Sequence, residues 1–217
     1  MSDTPQAPPV RLQSLELPGP AGVLEGLYQT REGVESAFAA LVLHPHPLYG
    51  GTLHNKVVHR TATTLLAMGA AVLRFNFRGV GASAGRHDQG EGELEDARAA
   101  WSWLRARHPG ARLWLAGFSF GSWVAARHAA SDSSVERLAL IAPPVGTQDF
   151  AMMRTATVDK LVLQGTADVT CPPEKLDAHY PTWSEPKRLI RIEGATHFFD
   201  RKLQELADAL LAGWGAS

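Results

Sequence analysis

Two stretches of the chain share the spelling G-x-S-x-G: G-A-S-A-G at Gly81–Gly85 and G-F-S-F-G at Gly117–Gly121. Where a strand turns abruptly into a helix, this spelling presents a serine hydroxyl that can attack a carbonyl carbon. The flanking glycines are a steric need, because the helix packs closely against the strand it has just left. A serine hydroxyl is a weak nucleophile near neutral pH. It needs a general base, and the base needs a carboxylate to orient it. The chemistry to look for is acyl transfer by a serine, a histidine and an acid that the fold brings together.

The elements that must position such groups can be read along the chain. Val10–Leu17 and Val23–Gln29 flank the turn-rich P-G-P-A-G and read as paired strands. Ala37–His44 is a continuous apolar run, as expected of a strand buried on both faces. Val57, Val58, Ala62, Leu65 and Leu66 then give helical spacing within Thr52–Met68. Ala70–Phe77 reads as a strand, Glu91–Arg107 as a helix, Arg112–Gly117 as a strand and Phe120–Ala130 as a helix of small residues. Arg137–Ala142, Lys160–Gly165 and Lys187–Gly194 read as three more strands, and Arg201–Leu211 as a closing amphipathic helix. Strands alternating with helices imply an α/β fold with a mostly parallel twisted sheet covered by helices on both faces, after antiparallel N-terminal strands. In such sheets ligands bind beyond the carboxyl ends of the strands.

That rule separates the two serines. Ser119 follows the strand ending at Gly117, and helical spacing is under way by Gly121. Ser83 stands six residues beyond Phe77 and is followed by R-H-D-Q-G-E-G, a polar loop, so it reads as a loop serine. Among nine histidines, His197 lies directly after a strand and before the last helix. His54, His59, His108, His128 and His179 fall in or at the ends of helices and are expected at the surface, and His87 sits in a polar loop. Asp168 follows the strand ending at Gly165. Ser119, Asp168 and His197 all fall at strand carboxyl ends and are the candidate nucleophile, acid and base.

Composition sets the outer bounds. A length of 217 residues suits one domain, here residues 10–217 after a Pro-rich and mobile tail over residues 1–9. With 21 basic and 22 acidic residues the formal net charge is −1, which gives no reason to expect nucleic acid or an anionic membrane as partner. The single cysteine, Cys171, excludes an intrachain disulfide and reads as a small packing residue. The N-terminus lacks a signal-peptide layout, and no apolar run reaches the ~18–20 residues that span a bilayer, so the expected location is cytoplasmic. His44 and His46 form H-x-H, a metal-like spacing, but His54 and His59 sit roughly 140° apart around their helix and make a poor chelate. Gly79-x-Gly81-x-x-Ala84 matches a dinucleotide loop only loosely, since no helix opens there. No metal and no cofactor is expected, and the oligomeric state is not legible.

The chain resembles the α/β-hydrolase superfamily over essentially its whole length. More narrowly it is similar to small bacterial hydrolases carrying H-P-H-P-L-Y-G-G-T-L-H-N-K-V-V (His44–Val58), a group akin to dienelactone hydrolases and short-chain esterases. F-N-F-R-G-V-G-A-S-A-G (Phe75–Gly85) resembles the superfamily's D-x-R-G-x-G-x-S segment, with Asn76 in place of the aspartate. Dienelactone hydrolases proper use a cysteine nucleophile where this chain has Ser119. The resemblance implies an α/β-hydrolase fold and the order Ser, Asp, His. It also implies an oxyanion hole made by the N–H of Phe120 and one N–H from the loop after Ala37–His44. Pro45 and Pro47 have no N–H, which leaves His46, with Leu48 as second choice. About eighteen residues from Ala142 to Asp159 are too few for a multi-helix cap domain. An open, shallow site bordered by Leu48, Tyr49, Phe118 and Phe198 is expected, suited to small carboxylic esters cleaved through an acyl-enzyme. Thioester or amide hydrolysis on the same residues, and a ligand-binding protein without turnover, are the alternatives.

Overall fold

The computed structural model describes residues 8–36 and 38–214. The first seven residues of the expected tail therefore lie outside the described residues. Among the described residues eight strands form one sheet in the order β1-β2-β4-β3-β5-β6-β7-β8. β1 (Val10–Gly19) and β2 (Gly22–Arg31) pair antiparallel, and β2 pairs antiparallel with β4 (Ala70–Phe75). From there the ladder runs parallel through β3 (Phe38–Leu43), β5 (Arg112–Phe118), β6 (Arg137–Ile141), β7 (Asp159–Gly165) and β8 (Lys187–Ile192). Every residue of β3 and β4 is buried: β3 is an unbroken apolar run, as expected of a strand covered on both faces, and β4 includes the buried Arg74, whose guanidinium donates to the Leu53 carbonyl and the Gln29 side chain.

Two helical layers supply that cover. α1 (Lys56–Ala67) and α5 (Leu203–Trp214) bury Val57, Val58, Leu65, Leu206, Leu210 and Trp214 against Ala40, Val42 and Val72. α2 (Glu91–Arg107) and α3 (Phe120–Ser131) bury Leu94, Trp101, Phe120 and Val124 against Leu41, Leu43 and Leu73 on the other face. Alternate residues of one strand thus feed opposite cores, as the period of two demands. A short helix, α4 (Pro173–His179), lies between β7 and β8. With one buried residue, Leu176, it has too little periodicity to be legible.

Local chemistry sets several boundaries differently from the sequence expectation. α1 starts at Lys56, not Thr52, because the Asn55 side chain accepts the Val57 N–H at 2.9 Å and caps the first turn. β4 stops at Phe75, two residues early: the Asn76 N–H still reaches β2, at the Glu25 carbonyl (2.8 Å), but the Phe77 N–H goes to a side chain, at Nε2 of His44 (3.0 Å), and not to a neighbouring strand. His128, expected at the surface, is buried at 2 % exposure where α3 meets Trp101 of α2. No helix among the described residues is long and apolar enough to cross a membrane.

Candidate active site

The parallel strands β3, β5, β7 and β8 all deliver their carboxyl ends to one edge of the sheet, and the candidate residues follow those ends directly. β5 ends at Phe118 and α3 begins at Phe120, so Ser119 alone makes the turn. Its backbone sits at φ 52° and ψ −121°, a region that non-glycine residues rarely occupy. The Ser119 N–H donates to the Ile141 carbonyl at 2.8 Å, which ties the strained residue to the neighbouring strand. A Cβ on Gly117 would collide with the carbonyl of Gly121, and one on Gly121 would meet the carbonyl of His44 at 2.5 Å. Both glycines of the motif are therefore dictated by backbone packing.

The three candidates form one hydrogen-bonded line. Nδ1 of His197 lies 2.8 Å from Oδ2 of Asp168, and Nε2 lies 3.1 Å from the Ser119 hydroxyl. A carboxylate only accepts, so Nδ1 carries the proton and Nε2 offers its lone pair to the serine. Asp168 is buried, and its other oxygen accepts the N–H groups of Thr170 (2.9 Å) and Cys171 (2.8 Å). Nε2 of the buried Gln164 reaches Oδ2 of Asp168 (3.3 Å) and the Cys171 carbonyl (2.9 Å), closing the acid loop on itself. The acid and base loops are also joined to each other. The Ala167 N–H donates to the Ala195 carbonyl (3.0 Å) and the Gly194 N–H to the Thr166 hydroxyl (2.8 Å).

The loop after β3 lies against the nucleophile turn. The His46 ring packs on Phe120, centroids 4.8 Å apart, and on Tyr49 and His87. The Phe120 N–H opens α3 and has no intrahelical acceptor, whereas the Ser122 N–H already donates to the Ser119 carbonyl at 2.8 Å. The Leu48 N–H, second choice as an oxyanion donor, is already given to Nδ1 of His46 (3.2 Å). Burial, and the neighbouring His87, hold the His46 imidazole below the usual histidine range.

Of the expected rim, Leu48 (69 % exposed), Tyr49 (85 %) and Phe198 (42 %) do stand in solvent. Phe118 does not. It is fully buried, with its ring 5.0 Å from that of His197, so it supports the base from below and is no substrate contact. Val169, beside Asp168, is exposed and was not anticipated. Cys171, read as a small packing residue, is buried next to the acid; burial, then the Asp168 charge, push its thiol up to about 12. Ser83 is a loop residue as read: its hydroxyl donates to the Asn76 carbonyl (2.6 Å) and accepts the Glu25 N–H (2.9 Å). Asn76 is likewise a tie, accepting the Leu53 N–H and donating to Glu25.

Asp168, Cys171 and His197 bring one potential metal-ligand atom each within 4.8 Å of one another. The carboxylate and imidazole are already paired, and the thiol is neutral. In the H-x-H pair, both ring nitrogens of His44 are occupied by backbone, by the Pro45 carbonyl and the Phe77 N–H.

Comparisons with known proteins agree with this architecture. The profile of the Hydrolase_4 family, described as "Serine aminopeptidase, S33", matches residues 41–157. A protein of Xanthomonas campestris described as an α/β serine hydrolase without lid is 40 % identical, with a TM-score of 0.87 over 96 % of this chain and 95 % of that one. An α/β serine hydrolase homologue from Coxiella burnetii is 38 % identical, with a TM-score of 0.89 over 93 % and 97 %. An uncharacterized protein, RP471, of Rickettsia prowazekii is 38 % identical over 201 residues, covering 88 % of this chain and 84 % of its own. With more than half its length under the family profile, the chain belongs to the Hydrolase_4 family of α/β-hydrolase-fold serine hydrolases.

Proposed function

We propose that this protein hydrolyses small carboxylic esters through a covalent acyl-enzyme, with Ser119 as nucleophile, His197 as general base and acid, and Asp168 as its orienting carboxylate. The observation that carries the reading is the unbroken line from Asp168 through His197 to a serine on a strained strand-to-helix turn. Ser119 attacks the acyl carbon as its proton passes to Nε2 of His197. The N–H groups of Phe120 and His46 receive the oxyanion, and Asp168 stabilises the imidazolium. His197 then protonates the departing alkoxide. Water, deprotonated by the same nitrogen, releases the acid and restores the serine.

Between β6 and β7 a single 3-10 turn, Ala151–Arg154, stands where a lid would be inserted. The rim is left to Leu48, Tyr49, Val169 and Phe198, a short apolar border that favours short acyl chains. The family description names a peptidase, and an aminopeptidase needs a carboxylate to hold the substrate ammonium. Two buried carboxylates in this region are engaged already: Asp168 with His197, and Glu93 with His87 and the N–H groups of Asp88 and Gly90. This favours the ester over the amide.

A fluorophosphonate probe followed by peptide mapping tests the nucleophile, and p-nitrophenyl esters test the reaction. The adduct is expected on Ser119. Turnover should be faster for acetate and butyrate than for palmitate, and should vanish in Ser119→Ala. An adduct on Ser83, or p-nitrophenyl acetate turnover that survives Ser119→Ala, would sink the reading.

A further inference from the structure

A completely buried imidazole is an expensive way to fill a core, and His44 is one: it is 0 % exposed and takes no part in the Ser119 line. Its two nitrogens have fixed and different duties. Nε2 lies 3.0 Å from the Phe77 N–H, which can only donate, and Nδ1 lies 2.7 Å from the Pro45 carbonyl, which can only accept. The proton therefore sits on Nδ1. Burial pushes the imidazole down to about 4, so it stays neutral and keeps this tautomer through the range where a histidine base would work.

The carbonyl it holds belongs to the peptide between Pro45 and His46. In a trans peptide the C=O and N–H point in opposite directions, so fixing one aims the other. The same peptide is pinned from a second side. A Cβ on Gly51 would collide with the Pro45 carbonyl, and the next peptide is held as well, since the N–H groups of Tyr49 (3.1 Å) and Gly51 (3.0 Å) both donate to the His46 carbonyl. Among the described residues no acceptor is hydrogen-bonded to the His46 N–H, whereas the N–H of Leu48 is spent on Nδ1 of His46 and those of Tyr49 and Gly51 on the His46 carbonyl. The segment rests on the nucleophile turn, since Gly121 lies directly under the His44 carbonyl.

We infer that His44 is a positioning residue: it anchors the Pro45–His46 peptide so that the His46 N–H is aimed, before substrate arrives, at the oxyanion that forms on Ser119. The inference rests on the serine-hydrolase reading above and adds a residue that never touches the substrate. It also gives the H-P-H-P-L-Y-G-G spelling a division of labour. The first histidine aims, the prolines remove competing donors, the second histidine donates, and Gly51 leaves room for the anchored carbonyl.

The test compares His44→Asn, whose amide nitrogen can replace Nδ1, with His44→Phe, which keeps the ring packing on Phe77 but has no polar atom. Circular dichroism and thermal melting establish which variants are folded. In folded His44→Phe, kcat on p-nitrophenyl acetate and the rate of Ser119 phosphonylation should both fall about ten- to a hundredfold, the range expected when an oxyanion donor is misplaced. KM should change little, and the acid limb of the pH profile should stay where it is. His44→Asn should recover a substantial part of the loss. A folded His44→Phe with wild-type kcat and phosphonylation rate, or a loss confined to KM, overturns the inference while the serine-hydrolase reading stands. If wild-type protein shows neither Ser119 labelling nor Ser119-dependent turnover, both fall together.

Discussion

In the proposed mechanism the Ser119 hydroxyl has a proton acceptor only because the His197 ring is held in one tautomer, which Asp168 sets through a 2.8 Å bond. Asp168→Asn keeps the shape of the side chain but can place an N–H where Nδ1–H now donates. The ring would then turn its proton toward the serine. A fall of ~10⁴-fold in kcat with little change in KM is expected, measured on p-nitrophenyl acetate. A fall of less than about tenfold would mean that the carboxylate is not orienting the base. At this scale the sequence was informative where the constraint is local. G-F-S-F-G names its own serine because the strand, the turn and the helix are all within a few residues of Ser119. It was misleading for Phe118. Phe118 neighbours the serine in sequence, yet it shares the strand face of Trp114 and Ala116, which packs on α1 and α5. Adjacent residues of a strand point to opposite faces, so nearness in the chain did not mean nearness to substrate.

At the scale of elements, the strand-to-helix turn works because two backbone segments cross without side chains between them. Gly121→Ala would place a methyl carbon against the carbonyls of Leu43 and His44. The start of α3 would have to move off the loop that carries His46. A loss of about 1–3 kcal/mol in unfolding free energy is expected from overpacking alone, read from urea denaturation. The loss of activity in the fraction that stays folded should be larger than the stability change suggests, because the turn and the His46 loop shift relative to each other. A Gly121→Ala protein with normal stability would show that the approach is looser than described. Element existence was largely legible. β3 announced itself by an unbroken apolar run, and α2 by Leu94, Ala97, Trp101 and Leu104 falling on one face. Boundaries were not. β4 ends where the side chain of His44 takes the Phe77 N–H, and that partner is 33 residues away in the chain.

For the molecule as a whole, buried neutral histidines tie stability to pH. Burial pushes both His44 and His128 from an ordinary 6.5 to about 4; for His128 the Asp132 carboxylate, 3.7 Å away, partly opposes the shift. The folded-state values lie below the unfolded ones, so between about 6.5 and about 4 the unfolded chain binds more protons. Stability is fully present above about 6.5 and is lost as pH falls through that window, by roughly 3 kcal/mol for each histidine. Urea midpoints should drop between pH 7 and pH 4.5. Neither ring nitrogen of His128 has a hydrogen-bond partner among the described residues, so His128→Leu should be nearly neutral at pH 7 and should flatten the acid slope. An unchanged slope in that variant would remove His128 from the account. The sequence by itself determined the alternation of strands and helices, the edge of the sheet where chemistry could occur, and the serine on its turn, because periodicity and tight turns are imposed within a few residues. Only the tertiary structure decided which histidines are buried and neutral, which N–H of the His44–Leu48 loop remains free, and that Cys171 and Gln164 border the Ser119–His197–Asp168 line. Those outcomes depend on hydrogen bonds and close contacts between segments far apart in the chain, and no local pattern encodes a partner of that kind.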